Sequence, residues 1–102
     1  MRIDVVGRHF TLTDAIREHA SKKALKLERY SDQIQNVTVT IDGQDHHHSG
    51  EYGVELVVDV PRHDDFIAKA QDQDVYQAID QVVQKGTRQL ADFKDKLKTE
   101  NR

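Results

Sequence analysis

Two sets of side chains in this 102-residue chain could do chemistry, one by metal coordination and one by charge. The first is Asp45-His46-His47-His48, and imidazole and carboxylate ligands suit zinc or nickel. Consecutive side chains of an extended loop point in different directions, and no His-x3-His pair on a helix fixes a geometry. The run reads first as a polar loop, with His46, His47 and His48 as a weak metal candidate. The second set is cationic. Lys22, Lys26 and Arg29 recur at i, i+4 and i+7, with Lys23 nearer the margin, while Lys85 and Arg88 recur further on with Lys96 beyond them. On helices these spacings put cations in rows, and rows of cations are what the phosphates of a nucleic acid require. A solvated helix face is the plainer reading of the same pattern.

Catalytic patterns are missing from the sequence. It holds no cysteine, no paired Ser/His/Asp arrangement and no G-x-x-x-x-G-K phosphate loop, so no enzyme, cofactor or small-molecule substrate is expected. The lack of cysteine also excludes disulfides and leaves the compartment open, with a reducing cytoplasm as the default. No apolar run is long enough to span a membrane, and no secretory signal stands at the N-terminus.

Elements that would position the cations follow from periodicity. Arg2 to Gly7 alternates with Ile3 and Val5 on one face, which predicts a strand. Thr13 suits a helix N-cap and Asp14 its first turn, and Ile16, Ala20, Ala24 and Leu27 predict an amphipathic helix over 14–30. Val37, Val39 and Ile41 form a second strand, and Tyr52, Val54, Leu56, Val58 and Val60 a third. A fourth runs roughly from Phe66 to Ala70, and a second helix over roughly 75–98 is capped by Asp74. Its apolar stripe is Ile79, Val82, Val83, Gly86, Leu90, Phe93 and Leu97. Gly86 within that stripe implies a close approach to the sheet or the first helix, because glycine costs a helix about 1 kcal/mol against alanine.

The order β-α-β-β-β-α predicts an α+β single domain over 1–102. Two helices pack on one face of a four-stranded mixed sheet whose first two strands are parallel. The other face would carry Arg2, Asp4, Thr38, Thr40, Asp42, Glu51, Glu55 and Asp59, an acidic and wet surface. Charge is unevenly spread along the chain, whose formal total is -3. Residues 1–41 hold seven Lys/Arg against five Asp/Glu, 42–80 hold two against ten, and 81–102 hold six against three. A slightly acidic chain can therefore keep a local basic surface, which is the field a polyanion meets. The rival expectation is a small α/β protein-interaction module that docks through the acidic sheet face.

Four other residues have two readings each. His9, after Arg8 in a turn, could touch phosphate or pack locally. Tyr76 could stack on a base, although a tyrosine in the first turn of a helix over a sheet is more often core. Asp80 could orient a neighbouring cation or be solvated. Leu25 falls on the polar side of the first helix, where one exposed leucine is ordinary or marks a contact.

"GRHFTLTDAIREH" with "KKALKLERY", and "DVYQAID" with "KGTRQLADFKDK", resemble the ribosome hibernation-promoting factor and ribosome-associated inhibitor A family, also called the sigma-54 modulation protein family. The resemblance covers nearly the whole chain, and its most specific part is Asp74, Tyr76, Ala78-Ile79-Asp80, Lys85 and Arg88-Gln89-Leu90. It implies a double-stranded-RNA-binding-like fold and a cytoplasmic factor that binds the small ribosomal subunit. There it would inhibit translation under stress by sterically blocking messenger RNA and tRNA in the decoding channel. The implied rRNA-binding residues are Lys22, Lys23, Lys26, Arg29, Lys85, Arg88 and Lys94, with Arg8, His9, Tyr76 and Gln89 as further contacts. Asp92 stands where the family usually has a base, and Gly86 where it has a larger apolar residue. The chain looks like the short form without a C-terminal dimerisation domain, for which the resemblance implies a separate ribosome modulation factor as a second partner.

Overall fold

A computed structural model describes the backbone of residues 1–43 and 50–100, with side chains as far as 96. Its elements are β1 (Arg2–Arg8), α1 (Asp14–Leu25), a 3₁₀ turn (Lys26–Arg29), β2 (Asn36–Asp42), β3 (Tyr52–Asp59), β4 (Phe66–Asp72) and α2 (Val75–Glu100). The strands lie in the order β1-β2-β3-β4. β1 is parallel to β2, whereas β2–β3 and β3–β4 are antiparallel. The expected architecture is present, with strand ends moved by one or two residues.

Period-two alternation sends Val37, Val39, Ile41, Val54, Leu56, Val58, Ala68 and Ala70 to the face beneath the helices, where all are buried. α1 meets them with Ile16, Ala20 and Ala24, and α2 with Val75, Ala78, Ile79, Val82, Val83 and Leu90. α2 lies over β3 and β4, and α1 beside it over β1 and β2. Gly86 faces Leu56, which is fully buried, and a Cβ on Gly86 would overlap Leu56 Cδ2. The glycine in the apolar stripe is thus explained by close approach to the sheet.

Both helix starts are capped as their sequences require. Thr13 Oγ1 accepts from Ile16 N at 3.2 Å. Asp74 Oδ1 accepts from Tyr76 N at 2.9 Å, and Asp72 Oδ1 accepts from Asp74 N at 2.8 Å. The first helix differs from expectation at its end. Instead of running to residue 30, α1 tightens after Leu25 into the 3₁₀ turn, closed by Tyr30 N donating to Leu27 O at 3.0 Å, with Leu27 wholly buried.

The exposed face of the sheet is less acidic than its sequence pattern suggests. The strand register sets Asp4, Thr38, Val57 and Ile67 in one row, Val6, Thr40, Glu55 and Lys69 in the next, and Arg8, Asp42, Gly53 and Gln71 in a third. Arg8 and Lys69 offset the carboxylates, and Val6 and Ile67 are apolar and exposed. Glu51 precedes β3 and belongs to no strand.

Gly86→Ala tests the close approach. Overpacking against Leu56 costs about 1–3 kcal/mol, more than the roughly 1 kcal/mol that alanine gains in helix propensity. Urea unfolding is therefore expected to show a net loss of about 1 kcal/mol. In a Leu56→Ala background the sign should reverse, because the obstructing methyl is gone. A stabilising Gly86→Ala in the wild-type background would contradict the packing argument.

Candidate nucleic-acid interface

The structure divides the expected basic surface into three places. Lys22, Lys26 and Arg29 are exposed along the outer side of α1 and the 3₁₀ turn. In a 3₁₀ turn residues i and i+3 eclipse, so Arg29 stands in line above Lys26 rather than rotating away from it. Lys22 and Lys26 lie at the end of α1, where cations also suit the helix dipole. Arg29 shares a shallow depression of about 380 Å³ with Tyr30, Phe93 and Lys94, so the row continues onto α2, although Glu28 and Asp32 also line that depression. Only Lys22 of these four has a carboxylate partner among the described residues, Glu18 at 3.1 Å one turn earlier. That exposed pair contributes little, about 0.5 kcal/mol, and leaves the lysine available.

Lys23 belongs to the seam between the helices. Asp80 Oδ1 accepts from His19 Nε2 at 2.8 Å and lies 3.8 Å from Lys23 Nζ. The open question about Asp80 is thereby answered: it ties a histidine and a lysine of α1 to α2. Tyr76 packs edge-on against His19 with centroids 5.0 Å apart and remains 38% exposed, so it is not the core residue its helix position suggests.

Lys85 is exposed at the other flank of α2, half a helix turn from Lys94. It does not stand clear of the protein. Its Nζ donates to Lys69 O at 2.6 Å, and Gln89 Nε2 donates to Ile67 O at 3.0 Å. One turn earlier, Gln81 Nε2 donates to Asp72 Oδ2 at 2.9 Å. Residues 81, 85 and 89 thus run along β4, an edge strand, and two of them occupy backbone carbonyls that a neighbouring strand would use. Arg17 Nη1 does the same for Val5 O on β1, the opposite edge, at 3.3 Å. Arg88 is exposed on α2.

Arg8, Lys69 and Lys85 line an open cleft of about 460 Å³ on the sheet face, together with Thr40, Asp42 and Glu55. Its acids are engaged, Glu55 with Lys69 at 3.7 Å and Asp42 with His9 at 3.3 Å. His9 has a left-handed backbone (φ 53), and a Cβ on Gly43 would press on its carbonyl oxygen, so the turn after β1 is pinned to the end of β2. Among the described residues no group of His, Asp and Glu could hold a metal ion. The loop His46, His47 and His48 lies outside the described residues. No helix among the described residues is long and apolar enough to cross a membrane.

A family model described as Sigma 54 modulation protein / S30EA ribosomal protein matches residues 3–98. The chain belongs to that family. Over 98 residues it is 34% identical to a ribosome hibernation promoting factor of Escherichia coli (strain K12), covering 96% of this chain and 98% of the relative. A crystal structure of the Thermus thermophilus Protein Y N-terminal domain superposes with a TM-score of 0.77 at 30% identity, over 91% of this chain and 99% of that one. A ribosomal subunit interface protein from Coxiella burnetii shares the fold, with a TM-score of 0.82 at 24% identity, over 93% and 99% of the two chains.

Within this family member the sequence pattern did not single out Lys69, Arg17 or the edge-strand role of Lys85 and Gln89. Alternation of Ala68 and Ala70 already turns Lys69 outward, but which strand forms an edge depends on sheet order. Replacing the edge donors by apolar side chains of similar length, Lys85→Met with Gln89→Leu, leaves two β4 carbonyls uncapped. Sedimentation velocity over a concentration series is expected to show the double variant self-associating where wild type and Lys85→Arg do not. Identical profiles for all three would remove the edge-protecting role.

Proposed function

We propose that this chain is a cytoplasmic ribosome hibernation factor that binds the small ribosomal subunit as a single domain and inhibits translation by occupying the channel used by messenger RNA and tRNA. The observation that carries this reading is the row Lys22–Lys26–Arg29–Lys94, exposed across three elements and, from Lys26 onward, without carboxylate partners among the described residues. Such a row contacts phosphates at fixed spacing, and structured RNA is recognised largely by shape and backbone. Family membership and the names of the relatives, a hibernation promoting factor and a subunit interface protein, point the same way. The reading needs no catalytic group, because steric occupation is the whole mechanism.

Each basic residue has its own weight in this proposal. Lys26, Arg29 and Lys94 supply the phosphate contacts, Lys22 joins them, and Arg88 adds a cation on the outer side of α2. Lys23 is partly neutralised by Asp80, and Lys85 is tethered to Lys69 O at the far flank of α2, with its remaining protons free to donate. Arg8, His9, Tyr76 and Gln89 lie away from the main row and are assigned secondary contacts at most.

Co-sedimentation with purified bacterial ribosomes and isolated small subunits across a salt series tests the proposal. A binder using about six phosphates should lose on the order of a thousandfold affinity between roughly 50 and 200 mM salt. Lys26→Glu/Arg29→Glu should abolish pelleting at moderate salt and flatten the salt dependence by about two contacts. Lys85→Glu should weaken binding less. Failure of the wild type to pellet at any salt would sink the reading and favour a protein partner for the sheet face.

A further inference from the structure

Leu25 is a large apolar side chain where the fold has no use for one. It ends α1 at 53% exposed, while the core side of the same segment is supplied by Ile16, Ala20, Ala24 and the fully buried Leu27. Its neighbours in a depression of about 360 Å³ are Lys22, Lys26, Arg29 and Glu28. A lone exposed leucine is ordinary. One flanked by three cations and one carboxylate, with two of the cations lacking carboxylate partners among the described residues, combines two kinds of complementarity in one small surface.

We propose that Leu25 seats an unpaired nucleobase of RNA, with Lys22 on one side and Lys26 and Arg29 on the other holding its flanking phosphates. The inference rests on the RNA reading of the basic row and adds to it a contact that is not electrostatic. The face of a base is flat and weakly polar, while the phosphates on either side of it are anionic. An apolar centre between cations has the matching order. From Lys22 to Arg29 the helix axis advances roughly 12 Å, four α-helical steps and three 3₁₀ steps, and the long lysine and arginine side chains can lean inward from that span onto the phosphates on either side of one nucleoside. RNA offers such bases where loops and bulges splay them out, and the apolar contact then places the protein at one site among many equally charged ones. An acidic peptide would meet the cations equally well, but three cations beside a single leucine favour the ligand that repeats a charge at every unit.

Charge and contact separate cleanly at this exposed position, where substitutions leave the core untouched. Small-subunit binding is measured across a salt series for wild type, Leu25→Ala, Leu25→Lys and Leu25→Trp. Leu25→Ala should lose about tenfold affinity with an unchanged salt slope. Leu25→Lys should also lose affinity despite its added charge. Because the chain contains no tryptophan, Leu25→Trp gives a single reporter, whose emission should be quenched by stacking both on small subunits and on purified rRNA. If Leu25→Lys binds as tightly as wild type or more so, the leucine is no contact and this inference alone falls. If the reporter responds to small subunits but not to purified rRNA, the occupant is a ribosomal protein, and the nucleobase assignment is overturned. A wild type that does not bind at all overturns both this inference and the reading beneath it.

Discussion

The helical layer depends on how near α2 can come to the sheet, and that distance is set where Gly86 faces Leu56. With no side chain at Gly86, the helix settles against β3 and β4. Its flank then comes within reach of the sheet edge, so that Lys85 and Gln89 can bend onto carbonyls of β4. The opposite flank meets α1, and the small, fully buried side chains of Ala20, Ala24 and Ala78 suit helices lying together. The His19–Asp80 hydrogen bond spans that junction at 2.8 Å. A bulkier residue at 86 would lift the helix and strain both sets of contacts at once, because packed interiors transmit displacement rather than absorb it.

The acidic middle of the chain raises an electrostatic question for a polyanion binder. The structure answers it by what the carboxylates are doing. Asp72 and Asp74 organise the start of α2, Asp80 holds His19 and Lys23, Glu55 lies by Lys69, and Asp42 by His9. These charges do local work on capping and pairing, and they lie away from the row formed by α1, the 3₁₀ turn and Lys94. At a Debye length of about 8 Å in physiological salt, distant acids do little to the field over that row. The carboxylates that do stand near the row are Glu18 beside Lys22, and Glu28 and Asp32 in the depressions around Arg29, so the local surface is mixed but more cationic than the formal charge of -3 suggests.

Periodicity was enough to read the element order, the parallel β1–β2 pair, the caps at Thr13 and Asp74 and the close approach at Gly86, because each is a local or single-register property. Two kinds of feature were not legible. Winding is one: nothing in Lys26-Leu27-Glu28-Arg29 distinguishes a last α turn from a 3₁₀ turn, since Leu27 continues the buried stripe in either. Edges are the other, since β4 becomes exposed on one side only once the sheet order is known. For that reason Lys85 reads as an outward cation in sequence, while in the fold its amine is engaged with the backbone. The sheet face read as acidic for a related reason, because only the assembled register sets Arg8 and Lys69 among its carboxylates.

A lysine ammonium has three protons to donate, so Lys85 can hold a carbonyl and still face a phosphate, but its bond to Lys69 O fixes where that charge stands. A phosphate that drew Lys85 away from Lys69 O would uncover an edge strand, so Lys85 serves a ligand best from the place its tether allows. Lys26 and Arg29 have no such bond to break among the described residues, and the 3₁₀ turn holds them in line. They offer their full charge to a phosphate with no internal bond to replace, although ordering each free side chain on binding costs about 0.5–1.5 kcal/mol. The two edges and the basic row therefore divide the long polar side chains between them. Arg17, Lys85 and Gln89 keep the sheet from growing, and the cations of α1, the 3₁₀ turn and Lys94 are left for the ligand.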